Sequence, residues 1–178
     1  MSTCTRSGVT SLGIRARRSG VGKILSVVGA AESTISTIDA ATGFKSDDVL
    51  KALGAGLAEL GFAVETAKTK DAKIRRPVLF GENGTSRVAY EIDAFHDELG
   101  IAVEVEAGRG AHNNADYRDI VRTSLILDAK FLALLMPINY RYSSSATPAY
   151  RNTLGQLDAI YASDRLKLPF HGVLLVGY

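Results

Sequence analysis

The chain has 178 residues, 46% hydrophobic and 22% charged, which suits one folded core, leaves little room for two, and excludes disorder throughout. A single cysteine, Cys4, excludes an intramolecular disulfide framework and a cysteine-rich zinc site. No apolar run approaches the ~18–20 residues of a membrane helix. The net charge of +2 conceals a pattern: residues 1–30 carry five Lys/Arg and no acid, residues 61–80 carry five Lys/Arg against two acids, and residues 81–110 carry seven acids against two bases. Basic flanks around an acidic centre are one way to hold a polyanion over a metal site, and also an ordinary pattern of solvated surface charge.

Residues 1–20 are basic and rich in Ser and Gly and read as a flexible tail; residues 21–178 read as a single domain opening with a helix. The apolar stretch Ile24–Ala31 is short for a secretion signal, and its pattern continues to Ile38, so a cytoplasmic protein is expected. Ile24, Val28, Ala31, Ile35 and Ile38, spaced 4, 3, 4, 3, mark one face of that helix, with Gly43 as its stop. Ser46, Asp47 and Asp48 open a second helix with the stripe Leu50, Leu53, Leu57 and Leu60, ended by Gly61.

The period then changes. Phe62, Val64 and Thr66 alternate as a short strand, Lys68–Arg76 form a basic segment, and Val78–Phe80 suggest another strand before the turn Gly81–Gly84. Arg87–Phe95 and Ile101–Glu106 read as two strands joined by the hairpin-length Asp97–Gly100. A helix is expected from Asn113 or Asn114 to about Ala129, with Tyr117, Ile120, Val121, Ser124 and Leu127 inward. Phe131–Met136 is a buried strand, Ser143–Pro148 a polar loop, Ala149–Ala162 a helix with Leu154, Leu157 and Tyr161 inward, and Val173–Val176 a last buried strand. The order predicts an α/β fold, a mixed central sheet flanked by helices.

The chemistry is concentrated in Asp93, Glu104 and Glu106. Alternation along a strand puts Glu104 and Glu106 on one face and Val103 and Val105 on the other. A symmetric hairpin turning between Glu98 and Leu99 sets Asp93 opposite Glu104 and Glu91 opposite Glu106, and paired residues share a face. Three or four carboxylates then converge, which is unfavourable on a bare sheet unless lysines or arginines pair with them or a hard divalent cation takes their oxygens. Such a cation equips a site for phosphodiester hydrolysis.

Asp93, a hairpin, then Glu104-Val105-Glu106 resembles the PD-(D/E)xK superfamily of restriction-endonuclease-like nucleases. The Glu-x-Glu form, followed by Gly108 and a polar helix, is similar to the BglII/BamHI branch of Type II restriction enzymes, as is the late segment LKLPFHGVLLVGY. The resemblance covers roughly residues 45–178. It implies a restriction-endonuclease-like core and a Mg²⁺-dependent DNA endonuclease, with Mn²⁺ as substitute. Asp93 and Glu104 would ligate the metal, and Glu106 would position or deprotonate the attacking water. Glu106 stands where most of the superfamily has lysine, and Ile92 stands where the motif has proline.

Lys68, Lys70, Lys73, Arg75 and Arg76 would track a DNA backbone or simply form an exposed basic loop. Arg109 would contact the scissile phosphate or serve a structural salt bridge. Glu59 would be a further acidic ligand by the resemblance or an ordinary surface residue, His112 a base or phosphate contact or a loop histidine without a role, and His96 reads as an exposed neighbour of the turn. A homodimer would suit cleavage of both strands of a palindromic site. Two other functions compete: a catalytically inactive DNA- or protein-binding module of the same fold, and a nuclease acting on repair or recombination intermediates.

Overall fold

The computed structural model describes residues 9–12, 18–107, 114–142, 145–163 and 165–178. Its centre is a six-stranded mixed sheet. The strands are β1 (Val9–Leu12), β2 (Ala63–Val64), β5 (Ala94–His96), β6 (Ile101–Val105), β7 (Phe131–Met136) and β10 (Gly172–Gly177), in the spatial order β1-β10-β7-β6-β5-β2. β6, β7 and β10 run parallel, and β5, β2 and β1 are antiparallel to their neighbours. Parallel central strands must be covered on both faces, which explains the continuous apolar runs FLALLM and GVLLVG.

Helices α1 (Arg18–Ile35) and α2 (Ser46–Glu59) cover one face. Ile24, Val28, Leu50, Leu53 and Leu57 pack there on Val103, Val105, Leu135 and Val176. Helices α3 (Ala115–Ser124) and α4 (Ala149–Ser163) cover the other, where Ile120 and Leu157 meet Ala102, Leu132, Leu134 and Leu175. Period-2 alternation along β6 thus divides its residues between two cores, and Glu104 and Glu106 fall on the α3 side.

Several expectations are corrected. Val9–Leu12, expected in a flexible tail, pair with Val173–Val176 and occupy a strand edge whose backbone groups would otherwise go unpaired. Helix α1 ends at Ile35, so Ile38 is 38% exposed and Gly43 lies well beyond the helix. The chain is redirected there by Thr37, whose hydroxyl donates to the Tyr178 carbonyl and accepts the Ile138 N–H at 2.9 Å. Ser143–Pro148, expected as a loop, includes β9 (Ser145–Thr147), which pairs with β8 (Tyr140–Tyr142).

Arg87–Phe95 is not one strand. Ser86–Ile92 (β4) pairs with Ile74–Phe80 (β3) in a separate two-stranded sheet, and the chain enters the main sheet only after Asp93. Glu91 is therefore opposite Arg75 rather than Glu106. The register of the β5–β6 hairpin is nevertheless the predicted one: Ala94 faces Val103, Phe95 faces Ala102 and His96 faces Ile101.

Helix α3 is shorter than expected and rotated. Tyr117, Val121 and Leu127 are exposed; Asp116, Asp119, Ile120 and Thr123 are buried. Polar residues face inward because they find partners: Asp116 accepts the Thr153 hydroxyl of α4 at 2.8 Å. Asn114 precedes the helix with φ 50° and gives no side-chain cap. Asn113 lies outside the described residues. In α4, Thr153, Leu157 and Ile160 face the sheet, while Tyr161 is 39% exposed.

The β5–β6 turn depends on Gly100. Its φ is +63°, and an added Cβ would come 2.5 Å from the Asp128 carbonyl oxygen. Its own carbonyl accepts the Lys130 and Phe131 N–H groups, tying the hairpin to the start of β7. Gly100→Ala is expected to destabilise the fold by about 2 kcal/mol or more, read as a lower urea midpoint with unchanged m-value.

Candidate active site

Asp93 stands at the bend where the chain passes from β4 to β5. Its Oδ2 accepts the Val105 N–H at 2.8 Å, which clamps the carboxylate between Glu104 and Glu106. Its carbonyl accepts the Glu65 N–H at 2.8 Å and so fixes the chain leaving β2. Glu104 projects from β6 and is 9% exposed. Glu106 follows the strand end; its N–H donates to Leu135 O at 2.9 Å, and its carbonyl accepts the buried Tyr178 hydroxyl at 2.6 Å. Backbone bonds on both sides hold the Asp93–Glu104–Glu106 constellation that the hairpin register predicts.

The three acids line a polar cleft of about 190 Å³. Four further groups in its wall escaped the sequence reading. Glu65 comes from the exit of β2, and Arg118, Asp119 and Arg122 come from α3. The i, i+4 spacing of Arg118 and Arg122 was the available signal, and the misplaced inner face of α3 obscured it.

Burial dominates the electrostatics. Desolvation pushes Asp93 up to about 6, with the Val105 N–H opposing and the Glu65 charge adding. Desolvation, then the Asp93 and Asp119 charges, hold Glu104 well above the usual carboxylate range. Desolvation, a hydrogen bond with the Asp119 carboxyl and that group's charge push Glu106 up to about 9.

The cations are distributed unevenly. Lys68 binds both Asp47 and Glu65 at 2.9 Å, and these partners raise its pKa. Lys73 pairs with Glu91, whose pKa it lowers. Arg118 reaches Asp119 at 3.1 Å and Glu106 at 3.5 Å. Lys70 and Arg75 are exposed, Arg75 opposite Glu91 in the β3–β4 register. Arg76 is directed elsewhere: its guanidinium lies 4.7 Å from the Phe95 ring centroid and pairs with Asp97 at 2.8 Å. Lys68 and Lys73 thus border the acidic cleft and Arg76 does not.

His96, expected to be exposed, packs edge-on against Phe62 with centroids 5.1 Å apart. Glu59 is exposed on α2 and does not line the cleft. Arg109 and His112 lie outside the described residues.

The donor set is oxygen-only, which suits a hard cation. Among the described residues no three His, Cys, Asp or Glu side chains enclose a ready metal position. Asp93 and Glu104, facing one cleft, match a cation that takes one or two carboxylates and keeps its waters.

A mixed sheet covered by helices on both faces, with an acidic cleft at the β5–β6 hairpin, has a restriction-endonuclease-like fold. The restriction endonuclease BglII, solved in complex with a DNA 16-mer, is similar over 97% of this chain and 76% of its own, with a TM-score of 0.55 and 12% identity. The chain belongs to the family described as "Putative halobacteria restriction endonuclease", whose model matches residues 16–178. No curated protein sequence matches it. No helix among the described residues is long and apolar enough to cross a membrane.

Proposed function

We propose that this protein is a Mg²⁺-dependent DNA endonuclease of restriction type, a PD-(D/E)xK enzyme of the Glu-x-Glu form. The observation that carries the reading is Glu104: a buried carboxylate, raised by desolvation and by the Asp93 and Asp119 charges, to which no described residue donates a hydrogen bond. Such a cluster is unfavourable alone and is relieved by a divalent cation. Asp93 and Glu104 would hold it, and Mn²⁺ would substitute.

When bound, the metal supplies an activated water and a Lewis acid for the phosphoryl oxygen. Asp93 is held at the cleft wall for its part by the Val105 N–H, which donates to its Oδ2. Glu106, held by Leu135 and Tyr178 through its backbone, would position the attacking water or, once ionised, deprotonate it. Release of Glu106 from Asp119 accompanies that role. Lys68 and Lys73 at the rim, with exposed Lys70 and Arg75, approach the DNA backbone. BglII was solved with DNA, and a duplex is the substrate proposed here. A two-fold homodimer would cut both strands of a symmetric site.

Plasmid cleavage with Mg²⁺, with Mn²⁺ and with EDTA tests the reading. Nicking or linearisation with either metal and none in EDTA is expected. A protein that binds DNA, cuts none and gains no thermal stability from either metal would instead be an inactive binding module.

A further inference from the structure

We propose that Arg122, held against the Tyr90 ring, grips a phosphate of nucleic acid bound at the carboxylate cleft. The proposal deepens the nuclease reading and rests on its nucleic-acid substrate.

Four cations line the cleft: Lys68, Lys73, Arg118 and Arg122. Three are already committed to carboxylates: Lys68 to Asp47 and Glu65, Lys73 to Glu91, and Arg118 to Asp119 and Glu106. Arg122 forms no ion pair or hydrogen bond among the described residues, although its charge favours the ionised forms of Glu104 and Glu91 from across the cleft. It is held in another way: its guanidinium carbon lies 5.2 Å from the Tyr90 ring centroid. That contact sets the charge over the ring and gives the guanidinium N–H groups no acceptor.

Arg122 is half-buried as a residue, yet its N–H groups are not among the buried atoms left without a partner, so they face the open cleft, where an acceptor can replace water. The guanidinium fork matches two oxygens of a phosphodiester, and the Tyr90 contact reduces the entropy lost when it binds. Arg122 lies one helical turn from Arg118, which reaches Glu106, and it lines the same cleft as Glu104. A phosphate there would sit between the acids and the guanidinium. A purely structural Arg122, favoured by stacking and by its place in the last turn of α3, would leave the salt dependence of DNA binding unchanged.

The test is equilibrium binding of a fluorescent DNA duplex across a range of NaCl concentrations, with Ca²⁺ replacing Mg²⁺ and again in EDTA. Wild type is compared with Arg122→Gln, Arg122→Met and Arg122→Lys, each checked by thermal melting. In Ca²⁺, Gln and Met are expected to weaken binding by about tenfold and to flatten the log K against log[salt] slope by about one. Lys is expected to keep the slope and lose part of the affinity, because a point charge replaces the fork. The Met side chain preserves contact with Tyr90, so it carries the test if Gln fails to fold. Wild-type slope and affinity in folded Gln or Met variants would overturn the proposal, whether or not wild type cleaves. A wild-type protein that binds DNA without cleaving it would remove the nuclease reading alone; one that binds no DNA would overturn both.

Discussion

Asp93→Ala and Glu104→Ala are each expected to lower Mg²⁺-dependent nicking of plasmid DNA by at least about 100-fold. Each removes a proposed metal ligand and, with metal bound, about one unit of charge from a cleft that otherwise repels the phosphate chain. Glu104→Gln separates chemistry from folding. It keeps the volume of a side chain that is 9% exposed and removes its charge from beside Asp93 and Asp119. It should therefore be as inactive as Glu104→Ala, yet melt no lower than wild type in EDTA and a few degrees higher at pH 8. Glu106→Ala should also cripple cleavage. Glu106→Lys places a cation next to Arg118 but restores the residue common in the wider superfamily, and retained partial activity is expected. Full cleavage by Asp93→Ala or Glu104→Ala would sink the mechanism.

The second large effect is on stability against pH. Asp93 is raised to about 6 and Glu106 to about 9 in the fold, first by burial. A carboxyl raised above its unfolded value binds more protons when folded, so its contribution is fully present below the unfolded pKa, near ~4, and is lost as pH rises through the folded pKa. In EDTA the protein should weaken steadily from about pH 5 to about pH 9, with the melting temperature falling by more than about 5 °C. Saturating Mg²⁺ should oppose the fall above pH 7, since a ligand at 100 times its Kd stabilises by about 2.7 kcal/mol. Calorimetric melts at pH 5, 7 and 9, with and without Mg²⁺, check both signs. A metal-free protein that gains stability between pH 5 and 9 would show that these acids are ionised in the fold.

Much of the carboxylate constellation was legible because it depends on neighbours in sequence. Side-chain alternation separates Glu104 from Val103 and Val105, and a four-residue connection leaves few registers for the hairpin. The Ala94–Val103 pairing is the predicted one, so Asp93 and Glu104 meet as expected. The neighbouring expectation failed for a non-local reason. Glu91 would face Glu106 only if β4 continued into β5, but β4 pairs with β3 and the chain bends at Asp93. Nothing in RVAYEIDAF marks the bend, because the hydrogen bonds that create it come from Ile74–Pro77 and Val105.

The same distinction separates what this sequence determined alone from what required the tertiary structure. Local periodicity specified the two-faced strand β6, the buried runs β7 and β10, the stripe of α2 and the acids of the hairpin, because each depends on spacings of two to four residues. The rest of the cleft was decided in three dimensions. Asp116 and Asp119 are buried on a helix whose apolar residues had suggested the opposite face, since partners on α4 and at the cleft satisfy them. Arg76 left the basic segment to pack on Phe95 and pair with Asp97, while Lys73 turned to Glu91. A buried charge is settled by whichever partner the fold brings within about 3 Å, and spacing along the chain does not encode that meeting.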